Sequence, residues 1–187
     1  MVPAGNDSGT GFSSIEVAVP GRQLVFEAFC KTHEAAWKAF ALARGLTAKQ
    51  AAKATGELRT RLWQCWDDVL RRPVPAAEAW KLLKEEIATA TATATPQAAP
   101  APAWKKAIRA ALHRMKINMG VWIDEYGTYE AILALPERQQ ETIIMRFMLE
   151  LPDEVIAEYL DSTVPNVRSN ISHGCSRLEQ KLKRRSH

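Results

Sequence analysis

The sequence has few of the residues that build disulfide frameworks or metal centres. Its three cysteines, Cys30, Cys65 and Cys175, are far apart, odd in number and without a C-x-x-C pair. This pattern argues against a disulfide framework. Neither Cys30 with His33 nor His173 with Cys175 has further ligands nearby, so a structural zinc site is not expected either. We expect no bound metal and no cofactor.

Long apolar runs and catalytic motifs are also missing. No apolar run approaches the ~20 residues needed to span a bilayer, and the N-terminus has no basic-then-apolar signal. We therefore expect a soluble, cytoplasmic protein without a membrane partner. The sequence contains no Ser/His/Asp set, glycine-rich phosphate loop or metal-ligand spacing, so it predicts a protein that is not an enzyme.

The residues that are plentiful favour helices. Leu, Ala, Arg, Glu and Trp are common, whereas the glycines number only 9 and β-branched runs are short. The formal net charge of +4 permits binding to a polyanion without requiring it. Basic residues dominate the segment 177–185, which is either a solvated helix end favoured by the helix dipole or a surface for nucleic acid.

Periodicity divides the chain into four segments. Residues 1–22 lack any pattern and are interpreted as a flexible tail, and residues 23–88 show apolar residues at spacings of three and four, as helices do. Residues 89–103 run from Ala/Thr into Ala/Pro and predict an extended linker. Helical periodicity returns over residues 104–187. The predicted fold is all-α, with two small helical domains joined by an Ala/Thr/Pro-rich linker.

Breaks and caps place the individual helices. Gly45 ends the first helical run, Thr47 is a good N-cap for the second, and Pro73 follows the end of that run. Gly127 is expected to break the helix that begins at Trp104. A short helix is then expected over residues 129–135.

The C-terminal segment predicts a helix-turn-helix. Pro152 suits the first turn of a helix, residues 161–163 form a tight turn, and a final helix begins near Val164. The final helix buries Val167 and Leu178 on one side. Its opposite side carries small polar groups, an amide and an arginine, which can meet base edges or phosphates in a major groove. The alternative is a helical hairpin with a polar surface.

The segment LPERQQETIIMRFMLELPDEVIAEYLDSTVPNVRSNISHGCSRLEQKL resembles region 4 of bacterial sigma factors, especially the extracytoplasmic-function (ECF) type. The resemblance lies in the L-P-x-R-Q start, the I-A-x-x-L helix, the V-R-S segment and the trailing R-L. In that family, region 4 reads the −35 promoter element and contacts the flap of RNA polymerase. The resemblance and the helical face together predict DNA contacts at Thr163, Pro165, Asn166, Arg168, Ser169, Asn170, Ser172, His173 and Lys181.

The first domain resembles sigma region 2. FEAFCKTHEAAWKAFALAR, ELRTRLWQCWDDVL and PAAEAWKLLKEEI correspond to its three helices, and the resemblance predicts polymerase contacts at Gln50, Lys53, Glu57 and Arg61. The family's usual acids are replaced here by Gln50, Ala52 and Lys53, which removes charge complementarity to a basic partner. Glu85 and Glu86 are expected to repel a nearby single strand.

These features predict a sigma factor-like protein that binds core RNA polymerase and promoter double-stranded DNA and acts at the nucleoid. The departures in the first domain favour a second hypothesis, a sigma-derived regulator that binds DNA or polymerase but does not open promoters alone. A third hypothesis is a protein-interaction module with no DNA role. An anti-sigma or other regulatory protein is a further partner that the resemblance implies.

Overall fold

The structure, a computed structural model, describes residues 18–92 and 125–185, here called the first part and the second part. The residues in both ranges form helices and the short turns between them, and none of these helices is both long and apolar enough to cross a membrane. In chain order the helices are α1 (Ala18–Ala43), α2 (Ala48–Gln64), α3 (Trp66–Leu70), α4 (Pro75–Ala92), α5 (Glu125–Leu133), α6 (Glu137–Ile143), α7 (Asp153–Tyr159) and α8 (Val164–Arg185). The all-α prediction is confirmed.

The first part follows the predicted caps closely. Thr47 begins α2 with a capping box, in which its hydroxyl accepts from the Gln50 amide N–H and the Gln50 side chain accepts from the Thr47 amide N–H. The expected second helix is divided in two, because the backbone leaves helical geometry at Cys65. The break lets Trp66 turn into the core, where its ring lies 5.3 Å from that of Phe26.

Three features of the helices differ from those expected from the sequence. Helix α1 begins at Ala18, inside the expected N-terminal tail, and α4 continues to Ala92, inside the expected linker. Alanine is the best helix former, so its frequency lets the Ala/Thr run extend the helix, in which the Thr91 hydroxyl donates to the Ile87 carbonyl oxygen. Gly127 lies within α5 instead of breaking a helix. The predicted tail before Ala18, and the linker and helix predicted within residues 93–124, lie outside the described residues.

The second part contains the predicted helix-turn-helix. Helix α6 passes directly into a π-helical turn, Ile144–Met148, whose residues Ile144 and Met145 are buried. Helix α7 is followed by a tight turn, and α8 packs against both α6 and α7. The beginning of α8 at Val164 is where the sequence places it.

The two parts share one continuous apolar core. Tyr159, the last residue of α7, stacks on Trp80 of α4 with the ring centroids 4.6 Å apart, and its edge meets the His33 ring of α1. Burial raises the pKa of Tyr159 to about 12, so its hydroxyl keeps a proton that it can donate to His33 Nδ1, 2.8 Å away. Tyr129 packs on the turn after α1, where its hydroxyl lies 2.9 Å from the position of a Cβ at Gly45.

Polar pairs accompany this apolar contact. Lys84 of α4 lies 2.8 Å from the carboxylate of Glu141, which is fully buried, and 2.9 Å from Glu137. Arg44 bonds to the side chain of Gln140. We call the contacts made by Tyr159, Lys84 and Arg44 the seam. It joins the two parts through stacked rings and through an ion pair whose carboxylate is buried.

Removing the cation of the seam should destabilise the protein. Burial raises the pKa of Glu141, which the hydrogen bond from Lys84 opposes, so Lys84→Met leaves a buried carboxylate unpaired. We expect a loss of about 3 kcal/mol in the free energy of unfolding at neutral pH, measured by urea denaturation. Lys81→Met, which breaks an exposed pair with Glu78 on the same helix, should cost no more than about 0.5 kcal/mol. Equal losses in both variants would contradict the role of Glu141.

The seam should also respond to acid through His33. Burial lowers the pKa of His33 below its usual 6.5, an effect that Glu158 only partly offsets. The folded state therefore binds fewer protons than the unfolded state, and stability is lost as the pH falls below 6.5. His33→Gln should show a shallower loss over that range when urea midpoints are compared. Identical pH dependences for the two proteins would refute this assignment.

Candidate nucleic-acid interface

The turn between α7 and α8 sets the angle at which the last helix leaves the domain. Asp161 has a φ of 46°, in the left-handed region that aspartate tolerates better than most residues. Thr163 precedes α8, and its hydroxyl accepts from the Asn166 amide N–H at 3.4 Å, as an N-cap does. The short polar side chains of this turn therefore both bend the chain and begin the helix.

Helix α8 has one buried and one exposed face. The buried face carries Val167, Leu178 and Leu182, together with Gly174, which lets the helix approach α6 closely. A Cβ at Gly174 would lie 2.9 Å from Ile143 Cγ1. This close approach fixes which side of the helix meets solvent.

The exposed face holds most of the predicted DNA-binding residues. The residues Pro165, Asn166, Arg168, Ser169, Ser172 and His173 are exposed, as is Thr163 before the helix, and Asn170 is half-buried at the edge of this face. The structure thus brings eight of the nine predicted residues together on the first half of α8 and its cap. The ninth, Lys181, lies further along the helix and donates to the Ala134 carbonyl oxygen at 2.7 Å.

A second basic site surrounds Lys181. An open cavity of about 340 Å³ is lined by Arg177, Lys181 and Arg184, together with residues 134–136 of the turn before α6. Arg177 and Arg184 are missing from the predicted site. Their spacing of seven residues, with Lys181 between them, is the signal that could have added them, because it places all three near one side of a helix.

Arg168 is held by an acidic residue of α7. Its Nε lies 3.0 Å from Asp153 Oδ2, and Arg146 Nε lies 3.5 Å from Asp153 Oδ1. The Asp153 side chain is only 16% exposed, whereas that of Arg168 is 67% exposed. The predicted site includes Arg168 but neither of these partners.

The predicted polymerase-binding residues lie on α2. Gln50, Lys53 and Glu57 line a groove of about 360 Å³ between α2 and α4. Arg61 lies further along α2, 2.5 Å from Glu85 and 2.9 Å from Glu86 of α4. Both glutamates share this one cation, so part of their negative charge is offset, and the expected repulsion of a single strand stays a prediction.

Trp63 and Trp80 have structural roles in the first part. Trp80 is buried, and Trp63 is half-buried beneath the Arg22 guanidinium, 4.1 Å from the ring centroid.

The described residues contain no cluster of three or more metal-ligating side chains. Burial raises the pKa of the Cys175 thiol, which keeps it protonated at neutral pH.

Comparison with known proteins identifies the second part. Residues 128–178 match the family model described as Sigma-70, region 4. This segment is therefore a sigma-70 region 4 domain, and the resemblance to the sigma-70 family predicted from its sequence is confirmed. The match includes the whole helix-turn-helix up to Leu178 of α8.

Among solved structures, the chain is similar to the sigma factor RpoE from Bartonella quintana, solved as a co-crystal with the anti-sigma factor NepR. The two are 17% identical, the similarity covers 84% of this chain and 96% of that chain, and the TM-score is 0.47. No curated protein matches the chain. The match to region 4 therefore assigns residues 128–178.

The close packing of α8 on α6 can be tested by substitution of Gly174. Gly174→Ala places a methyl group against Ile143, and overpacking of this kind costs about 1–3 kcal/mol in the free energy of unfolding. Gly56→Ala is the matched control, because that position lies in α2 with nothing within 4 Å of its Cβ, and it should stabilise by about 0.5–1 kcal/mol. Thermal unfolding of both variants measures the effects. Stabilisation by both alanines would contradict the close packing of α8.

Proposed function

We propose that the protein is a sigma factor of the ECF type, which binds core RNA polymerase and places α8 on promoter DNA. The observation that carries the proposal is the exposed polar face of α8 within a sigma-70 region 4 domain. Sigma factors bind RNA polymerase and promoter DNA. The protein acts through binding alone, in the cytoplasm, with no catalytic residue or cofactor of its own.

In this proposal the first half of α8 contacts the bases of DNA, and its second half binds the phosphates of the DNA backbone. Asn166 and Arg168 have the amide and guanidinium groups that recognise adenine and guanine edges in a major groove. Ser169, Ser172 and His173 continue the same face and supply smaller donors and acceptors. Arg177 and Arg184 extend this face toward the basic cavity and meet phosphates, which hold the helix in register.

The first part supplies the polymerase-binding surface. The groove lined by Gln50, Lys53 and Glu57 is open between two helices and has room for side chains of a partner. Its mixed charge differs from the acidic surface usual in the family. This difference favours the second hypothesis, a regulator that binds polymerase or DNA without opening promoters. An anti-sigma partner remains a prediction of the family resemblance.

A transcription assay separates the two hypotheses. Purified protein is mixed with core polymerase and genomic fragments, and both co-purification and run-off transcripts are measured. A sigma factor gives transcripts with defined start sites, which are absent with core polymerase alone. Co-purification without transcripts supports the regulator. Failure to bind either polymerase or DNA refutes both and leaves the protein-interaction module.

The backbone contacts predict a change in salt dependence. Each phosphate contact contributes about 0.9 to the slope of log affinity against log salt concentration, so the double variant Arg177→Ala/Arg184→Ala should reduce the slope by about 2. Arg71→Ala is the control, because that arginine is exposed and paired with Asp68 in the first part. Titration of duplex DNA at several salt concentrations measures the slopes. An unchanged slope in the double variant would exclude these arginines from the interface.

A further inference from the structure

The ion pairs of Asp153 join three elements of the region 4 domain. Asp153 stands in the first turn of α7, Arg146 in the π-helical turn before it, and Arg168 in the second turn of α8. Since both arginines approach the same carboxylate, one on each oxygen, the acid is more than neutralised. Arg146 also donates from Nη1 to the Leu151 carbonyl oxygen at 3.2 Å, which fixes its own position.

The geometry of the ion pair between Asp153 and Arg168 leaves the edge of the guanidinium that carries the two Nη groups, here called its reading edge, available for a base. Asp153 engages the Nε atom of Arg168, at the base of the guanidinium. The two Nη groups lie beyond that contact, on a side chain that is 67% exposed. The Nη groups form the fork that meets guanine O6 and N7 in a bidentate contact. Asp153 can therefore hold the guanidinium without occupying the edge that reads a base.

Holding Arg168 has an energetic consequence for DNA binding. A long side chain such as that of arginine loses rotamer freedom when it is fixed on a base. A partner that orients the side chain before binding reduces this loss. The same acid lies near the expected path of the DNA, where a negative charge opposes binding to phosphates. Arg146 moderates that repulsion because it neutralises the other oxygen of the carboxylate.

We propose that Asp153 is a positioning residue, which orients Arg168 for guanine recognition and so raises sequence specificity. This inference rests on the proposed function, because it requires α8 to enter the major groove. It assigns Arg146 to support Asp153 in turn. The three residues form a chain of contacts from the π-helical turn, through the first turn of α7, to the exposed face of α8.

Orientation and simple structural support have different consequences for DNA binding. If Asp153 orients Arg168, Asp153→Asn should lower affinity for the preferred sequence while affinity for unrelated DNA stays equal or rises, since a negative charge is removed. If Asp153 only stabilises the fold, both affinities should fall together. The ratio of the two affinities therefore distinguishes these roles.

The experiment uses the full chain and a duplex DNA library with a randomised core. The wild-type protein first selects its preferred sequence, and the affinities of each variant for that duplex and for a scrambled duplex are then measured. We expect Asp153→Asn to reduce the specificity ratio about tenfold, within the range of one bidentate base contact. Glu154→Gln is the matched control: it removes an exposed acid from the same turn of α7 and should leave the ratio unchanged.

Two further variants test the connection to Arg168. Arg168→Lys keeps the charge but loses the fork, so it should lower the specificity ratio and retain most affinity for scrambled DNA. In an Arg168→Ala background, Asp153→Asn should have no further effect on the ratio. An independent loss there, or a parallel fall of both affinities in Asp153→Asn, would overturn the proposal. Thermal unfolding of each variant shows that the proteins compared are folded.

The outcomes also separate this inference from the proposed function. If the wild-type protein enriches no sequence from the library, DNA reading by α8 fails and the inference fails with it. If the wild type enriches a sequence and Asp153→Asn keeps the same specificity ratio, the inference alone fails. If the wild type enriches a sequence and the specificity ratio falls in Asp153→Asn but not in Glu154→Gln, the result supports both the proposed function and the inference.

Discussion

The stacking of Tyr159 on Trp80 connects the two described parts of the chain and determines how the second is held. Tyr159 ends α7, so the first helix of the helix-turn-helix is fixed to α4 through one pair of rings and to α1 through the hydrogen bond with His33. Helix α8 packs on α7 and α6, so its orientation relative to the first part is fixed by the same contacts. Aromatic pairs contribute beyond the area they bury, and this pair is also shielded from water.

The seam adds a charged component to this apolar contact. Glu141 is fully buried, and Lys84 is the cation beside it. Buried ion pairs gain little net stability over apolar packing, but they penalise any arrangement that separates the partners. The pair therefore restricts the relative placement of the two parts more than it strengthens their contact. In the proposed function, a polymerase or promoter that moves the parts away from each other has to overcome this restriction.

Local signals predicted local structure well, whereas contacts between distant residues were missed. The cap at Thr47 and the start of α8 depend on neighbouring residues, and both follow the sequence. The burial of Tyr159 was not predicted, because it is provided by Trp80, which is far away in the chain. Gly127 was expected to end a helix, but one glycine costs only about 1 kcal/mol, which packing can offset.

The candidate site shows the same division. Helical periodicity predicted the exposed face of α8, because alternate sides of one helix are set by the positions of its own apolar residues. The pairing of Arg168 with Asp153 joins two helices and depends on the angle of the turn between them. The Arg61 pairs with Glu85 and Glu86 likewise join α2 to α4, and they offset part of the negative charge of those acids. Such charge balances follow from the assembled fold.

The contact between Gly174 and Ile143 has a consequence for how this domain can evolve. Since the contact fixes α8 in rotation, substitutions on its exposed face can alter base preference while the buried face stays intact. An insertion of one residue between the turn and Gly174 would instead rotate the first half of the helix by about 100° relative to the contact of Gly174 with Ile143. New specificities are therefore accessible through replacement of exposed side chains, whereas changes of helix length in this segment are strongly disfavoured.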